Sequence, residues 1–492
     1  MRTRTRKQRA HYGITLLGLG PGEAKHLTRE AWRGLESASE IYLRTAQHPT
    51  IAELPAHLEQ HSFDYLYEKY SDFESVYAQI VAEVLRLGQR PGGVIYAVPG
   101  HPFIAEATCP EIARSAEQSG IPLTVVEGMS FLEPTFRAIG VDAFPHTSLV
   151  DALELASAHA PPFPPTAPTL IAQLYSPGVA SDVKLTLMSV YPDEHPVKLV
   201  HAAGAANERV ESLELYAIDR SPYVGALTSL YLPPLGPATS FEAFQELIAH
   251  LRAPDGCPWD REQTHQSLRS HLLEESYELL SALDDDDPAA IQEELGDLLL
   301  QILLHAQIAS EYREFSMAEV LQGIHTKIIN RHPHVFGGLD LKDVGGVLEN
   351  WERLKAAERA ANGKSEGSLL DGVARALPAL VQAEEYQKRA ARVGFDWPEI
   401  QGVIGKVGEE LEELRLAPEG ERRSAEFGDL LFAMVNLARW YKIDAEAALR
   451  EANARFRARF AKIEQAARAL GRSLADLSLD EKDALWESAK KG

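Results

Sequence analysis

Residues 13–232 alternate short apolar runs with helix-period patterns, which predicts strands and helices taking turns along an α/β fold. ITLLGLGPG (14–22) predicts a strand entering a Gly/Pro loop, with a helix from about Thr28. IYL (41–43), GVIYAVPGHP (93–102) and LTVVEGMS (123–130) predict further strands, with a helical stretch from Ile104. A second half offers TLIAQLY (169–175), KLVHAAG (198–204) and a long final strand, YVGALTSLYL (223–232). Pro-rich HAPPFPPTAPT (159–169) predicts an exposed connection between the halves. PPLGPATS (233–240) is a linker, and beyond it strand signals give way to helical ones.

The helical part is organised around HLLEESYELLSALDDDDPAAIQEELGD (271–297). Glu274, Glu275 and Glu278 fall on one predicted helix, Glu294 and Asp297 on the next, and residues three or four apart share a face. Asp287-Pro288 predicts an N-cap followed by Pro at the first helical position. The second acidic stripe runs into LLLQILL (298–304), apolar almost all round, as in a buried helix. CPWDREQTHQSL (257–268) leads into the first acidic helix. The pattern then recurs: Glu409, Glu410 and Glu413 precede Glu426 and Asp429, and ELGDLLL (294–300) is nearly copied as EFGDLLF (426–432). Lys327 and Arg331 match Arg455 and Arg459 in spacing, and Trp351 matches Trp486. This is an internal repeat. ANGKSEGS (361–368) separates its two copies.

Composition narrows the partners. A length of 492 residues suggests about three domains, and the formal net charge of −23 argues against a nucleic-acid-binding surface. Two cysteines make no disulfide framework and point to a reducing cytoplasm. No apolar run approaches the roughly 18 residues of a membrane span. The basic start MRTRTRKQR (1–9) reads as a frayed tail.

Acids flanking buried apolar turns need a cation, a proton or a basic partner. A hard divalent ion with oxygen ligands, Mg²⁺ first, meets that need. Gly296 and Gly428 suggest close helix approach there. A di-iron bundle would use Glu-x-x-His pairs, which neither repeat has; His305 follows Asp297 by eight residues, out of register. Lys406, Glu410 and Glu413 form one stripe, matched in the first repeat by His271, Glu275 and Glu278. Acids joined by Lys and Arg describe a site for a metal-bridged polyphosphate. Trp351 and Trp486 suit either a core or a base-stacking role.

EExxE followed by ExxD, with CPWD upstream and RHPHVF (331–336) and NWERLK (350–355) downstream, resembles the MazG family over about residues 241–492. The resemblance implies two all-α units (241–356 and 369–492), homodimerisation, Mg²⁺, and cleavage of nucleoside triphosphates to NMP and diphosphate. It implies Glu410, Glu413, Glu426 and Asp429 as metal ligands, with Lys406, Arg455, Arg459 and Trp486 on the nucleotide. Glu275, Glu278, Glu294 and Asp297, with Lys327, Arg331 and Trp351, are the first-unit counterparts. Glu409 or Glu274 is the candidate base for water. His271 in place of Lys makes the second unit the favoured catalyst.

GLGPG (18–22), YAVPGHP (96–102) and VVEGMS (125–130), in a two-half α/β layout, resemble the tetrapyrrole (corrin/porphyrin) methylases. GLGPG is no dinucleotide fingerprint, since Glu23 stands where a third Gly belongs. The resemblance implies a two-subdomain module (11–235) with an S-adenosylmethionine cleft near Pro21, Gly22, Gly100, His101, Pro102 and Ser130. Many relatives carry Gly-Asp-Pro where this chain has Gly-His-Pro. The expected architecture is therefore multidomain: an N-terminal α/β module followed by two all-α bundles. Two rival readings stand beside it, a methyltransferase whose helical repeats serve assembly and a non-catalytic nucleotide or S-adenosylmethionine sensor.

Overall fold

The computed structural model describes residues 12–339, 343, 345–347, 350–351, 353–354 and 368–491. The basic start, residue 11, residue 356, Gly492 and all but the last residue of the 361–368 linker lie outside them. Two compact units result, Met1–Leu321 and Gln322–Gly492.

The first unit opens with β1 (Ile14–Gly18), α1 (Arg29–Ser37), β2 (Glu40–Leu43), β3 (Glu59–Ser62), α2 (Asp64–Lys69), α3 (Phe73–Gly88), β4 (Val94–Val98), α4 (Thr108–Gln118) and β5 (Leu123–Val126). The strands form a parallel sheet in the order β3-β2-β4-β1-β5. Alternation explains why both faces are covered: Ile14, Leu16, Tyr96 and Val98 enter one core, while Leu17 and Ala97 enter the other. Thr28 caps α1 by accepting the Ala31 N–H at 3.1 Å. The helix foreseen from Ile104 starts later, at Thr108.

After α5 (Leu132–Ile139) a second sheet is built from β6 (Ser148–Asp151), α6 (Ala152–Ser157), β7 (Thr169–Ala172), α7 (Pro177–Met188), β8 (Pro196–His201), β9 (Arg209–Glu214) and β10 (Thr228–Leu232). Its order is β6-β7-β10-β8-β9, with β6–β7 parallel and the other pairs antiparallel. Two expectations change here. The Pro-rich 159–169 stretch lies inside the second sheet's connectivity, and it is partly packed, with Phe163 and Ala167 buried. The final strand is short because Gly225 bonds back to Thr228 in a turn before pairing begins. Strands β3, β6 and β9 carry weak alternation and sit at sheet edges, which hid them in the sequence.

Helices follow the 233–240 linker: α8 (Phe241–Arg252), α9 (Pro258–Glu262), α10 (Arg269–Asp284), α11 (Pro288–Glu311), α12 (Met317–Arg331) and α13 (Pro333–Phe336). Asp287 caps α11 through the N–H groups of Ala289 and Ala290 at 3.0 and 3.3 Å. Ile248, Leu268, Leu303, Leu304 and Ile308 form a helical core. Buried Arg252 locks it: its fork donates to Glu311 at 2.9 and 2.7 Å and also holds the carbonyls of Asp260 and Gln263. One side chain thus ties α8, α11 and the CPWD turn together.

The second unit contains α14 (Ala379–Arg392), α15 (Ile400–Leu416), α16 (Glu421–Trp440), α17 (Ala445–Ala469) and α18 (Leu479–Lys491). α15 packs along α16 as α10 packs along α11. A Cβ placed on Gly296 or Gly428 would meet nothing within 4 Å, so these glycines are not required for helix approach within the chain.

Arg252→Met is expected to cost roughly 2–4 kcal/mol, because it strands the Glu311 carboxylate and two carbonyls. Bonds from Arg252 outweigh burial and hold the Glu311 pKa below the usual glutamate value. The deficit in thermal midpoint is therefore full near neutral pH and shrinks as pH falls from the ordinary glutamate value of about 4.3 through the lower one that Glu311 has in the fold.

Candidate active site

In each helix pair the i, i+3 and i+4 spacings turn carboxylates toward the partner helix. Carboxylate oxygens of Glu275, Glu278 and Glu294 lie within 4.8 Å of one another, and those of Glu410, Glu426 and Asp429 do the same. The fourth acid of each set stands close by. Asp297 raises the pKa of Glu275 and Glu294, and Glu413 feels the charges of Glu410 and Glu426. Burial first, then these like charges, lift Glu275, Glu294 and Glu413 above the ordinary glutamate pKa. One Glu294 oxygen and one Glu410 oxygen are buried with no hydrogen-bond partner. All-oxygen donor sets with an orphaned carboxylate oxygen fit a hard divalent cation.

The basic groups differ between the two sets. Lys406 donates to Glu409 at 2.9 Å and pairs with Glu410 at 2.7 Å, and these carboxylates push its pKa up. His271 instead leans toward Glu274 at 3.8 Å, with Trp259 edge-on at 6.3 Å. Arg459 lies 5.9 Å from the centre of the Trp486 ring, which also contacts Phe456 and Lys490. Arg455 pairs with Glu451 at 3.1 Å. Among the described residues none of Arg455, Arg459 and Lys490 pairs with the four carboxylates. The earlier Arg/Trp pair repeats the geometry, with Arg331 at 5.8 Å from the Trp351 ring; Lys327 lies exposed on the same helix.

Sequence reading missed Arg422, which stands 3.8 Å from Glu426, and a wall of aromatic residues beside Lys406. The aromatic run GFDW (394–397) was the available signal.

A second cleft, about 340 Å³, opens in the N-terminal module and is lined by Pro21, Gly100, Arg44, His48, Gln173 and Tyr175, among others. Loops after β1 and β4 meet there, Gly20 and Gly100 exchanging backbone bonds of 3.2 and 2.7 Å. A Cβ on Gly18 would strike Gly100 and Gly128 at 2.6 Å, so only glycine lets the three loops interlock. Gly22 packs against Gly204; His101 Nδ1 accepts the Phe103 N–H; Pro102 is buried; and Ser130 donates to Glu133. Three non-glycine residues lining the cleft, Ala105, Gln173 and Ala202, hold φ values of 52°, 65° and 48°. Such strain costs about 1–3 kcal/mol each and gathers at ligand sites.

Together, an α/β module with interlocked glycine loops and helix pairs bearing carboxylate clusters define a fusion of an α/β part with an all-helical part. The chain belongs to the MazG nucleotide pyrophosphohydrolase family and carries a tetrapyrrole methylase-like module at its N-terminal end. The MazG nucleotide pyrophosphohydrolase domain model matches residues 263–336, and that of the Tetrapyrrole (Corrin/Porphyrin) Methylases matches residues 13–219. Uncharacterized protein YabN of Bacillus subtilis is 43% identical over 487 residues, covering 97% of this chain and 98% of that protein. The nucleoside triphosphate pyrophosphohydrolase/pyrophosphatase MazG of Thermotoga maritima is 43% identical over 252 residues, 51% of this chain and 96% of the relative. The Escherichia coli K12 nucleoside triphosphate pyrophosphohydrolase is 39% identical over 251 residues, 50% and 95% of the two chains. No helix among the described residues is long and apolar enough to cross a membrane.

In metal-free buffer, the contribution of Glu275, Glu294 and Glu413 to stability is expected to fall as pH rises from about 4.3, because in the fold they hold protons that the unfolded chain releases; the difference in thermal midpoint from a variant with all three changed to Gln reads it. Adding MgCl₂ at pH 7.5 should raise the thermal midpoint. Glu294→Gln with Glu410→Gln should remove most of that gain, as read by scanning fluorimetry.

Proposed function

We propose that the chain is a Mg²⁺-dependent nucleoside triphosphate pyrophosphohydrolase, releasing NMP and diphosphate, with an S-adenosylmethionine-binding module at residues 11–235. The carrying observation is the recurrence, on two helix pairs, of three converging carboxylate oxygens with an unpartnered oxygen in each set. The names of the Thermotoga maritima and Escherichia coli relatives support the same reading. We assign the first helical unit to 241–356 and the second to 369–492.

Glu410, Glu413, Glu426 and Asp429 would hold the ion in the second unit, and Glu275, Glu278, Glu294 and Asp297 in the first. A divalent ion there supplies charge neutralisation on the phosphates and acidity to water. Water attacks the α-phosphorus, its oxygen bonding there as the α–β bridge breaks, and diphosphate leaves with the bridging electron pair. Glu409, exposed beside the ligand acids, accepts the water's proton, and Glu274 is its counterpart. Lys406 offsets charge on the leaving group. His271 stands where the second unit has Lys406, so the second unit is the stronger catalyst. Arg455, Arg459 and Trp486 serve the nucleotide in the second unit, and Lys327, Arg331 and Trp351 are their counterparts in the sequence repeat.

The strained backbone of the N-terminal cleft favours a retained ligand over an inert scaffold. Its residues Pro21 and Gly100 would face S-adenosylmethionine, with Gly22, His101, Pro102 and Ser130 shaping the loops around it. Apolar stripes also remain uncovered: Phe427, Leu431 and Met434 on α16, with Ile404 and Leu411 on α15, are each 44% exposed or more. A homodimer would bury them.

Diphosphate release from a panel of NTPs should require Mg²⁺, and Glu413→Gln should lower it on the order of 100-fold. Loss with Glu278→Gln alone would reverse the ranking of the two units. Sedimentation velocity should find a dimer that Phe427→Glu converts to monomer.

A further inference from the structure

A cavity of about 410 Å³ joins the second acid cluster to an aromatic wall. Lys406, Glu410 and Asp429 line it, and so do Tyr386, Phe395, Trp397 and Phe432. Uncompensated charge is confined to the part shared with the carboxylates. The other charged residues lining the cavity, Asp396 and Arg439, neutralise each other: Arg439 Nη2 donates to Asp396 Oδ1 at 2.7 Å and to Asn436 at 2.7 Å.

The aromatic wall is held in place. Asp396 Oδ1 also accepts the Trp397 backbone N–H at 2.9 Å and the Trp440 indole N–H at 3.2 Å. A Cβ on Gly402 would fall 2.3 Å from the Trp397 ring, so the indole lies against bare backbone that only glycine leaves open. Phe395 is nonetheless 83% exposed, Phe432 45% and Trp397 39%, an aromatic surface awaiting cover. Gln387 lines the same cavity, is buried, and is oriented by donating Nε2 to the Phe432 carbonyl at 2.8 Å. That bond fixes the amide and leaves Oε1 without a partner.

We propose that this cavity is the nucleobase pocket of the second unit, with Phe395 and Trp397 stacking on the base and Gln387 Oε1 accepting one of its N–H groups. The proposal rests on the pyrophosphohydrolase reading and assigns base recognition to side chains of the same helical unit that holds the acids. A triphosphate anchored at Glu410 and Asp429 has its nucleoside end within reach of this wall, since both groups line one cavity. The volume falls in the roughly 300–1,000 Å³ range of small-molecule pockets.

The test uses the full chain carrying Glu278→Gln, so that turnover reports the second unit. Phe395→Ala and Trp397→Ala should each raise KM for an NTP roughly tenfold, with kcat within about twofold. Inhibition by tripolyphosphate, which has no base, should be unchanged, and Trp397→Phe should restore most of the loss. An unchanged KM in active variants, or an equal loss of tripolyphosphate affinity, overturns the pocket. So does a shift from dimer to monomer without a change in KM, which would make the wall a face covered by a second copy. Absence of Mg²⁺-dependent turnover in wild type would instead defeat the functional reading. Affinity for α,β-methylene-ATP, read by calorimetric titration in the same Glu278→Gln background, should fall roughly tenfold in Trp397→Ala, which reads the pocket without turnover; an unchanged affinity overturns the pocket.

Discussion

Like charge held together against its own repulsion is the constraint on which the helical half depends. Two helices packed side by side present acids to one another, and partial burial, nearly complete at Glu410, thins the water that would screen them. The raised pKa values of Glu275, Glu294 and Glu413 record that cost; Lys406 relieves part of it in the second pair, yet one oxygen each of Glu294 and Glu410 stays buried without a donor. A helix pair stabilised only by its own contacts would gain by replacing such acids. Their presence in both pairs is the arrangement that the proposed cation would complete.

The N-terminal module stores its cost differently. Its loops interlock where a side chain on Gly18 or Gly128 would collide with backbone, the Gly100 carbonyl included, and three residues around the cleft hold left-handed backbone. The parallel sheet beneath is covered on both faces and so can fix these loops at the carboxyl ends of its strands. Rigid support and local strain belong together, because only an over-determined scaffold keeps a strained residue in place.

The two helical sets are related without being equivalent. Lys406 bonds to two acids of its own helix, whereas His271 approaches only Glu274. A lysine brings a permanent charge and three donors to a phosphate; an imidazole brings neither reliably near neutral pH. The Arg–Trp pairs at Arg331/Trp351 and Arg459/Trp486 are nearly superimposable in separation. Divergence is therefore concentrated at the helix that carries the first acids, where charge balance is set.

Much of this was legible in the chain itself, because it rests on spacing. Helical period puts Glu275 with Glu278 and Glu410 with Glu413, strand alternation separates Leu16 from Leu17, and the Asp287-Pro288 pair fixes where α11 starts. Edge strands β3, β6 and β9 escaped because pairing partners, not hydrophobicity, define them. Likewise, no local pattern could show that Trp397 rests on Gly402, that Gln387 keeps one oxygen free, or that Ala105, Gln173 and Ala202 surround a single cleft. Sequence determines which side chains share a face, since that follows from helix and strand geometry. Which faces meet, and therefore which polar atoms lose their water and which aromatics line a cavity, was decided only by tertiary packing.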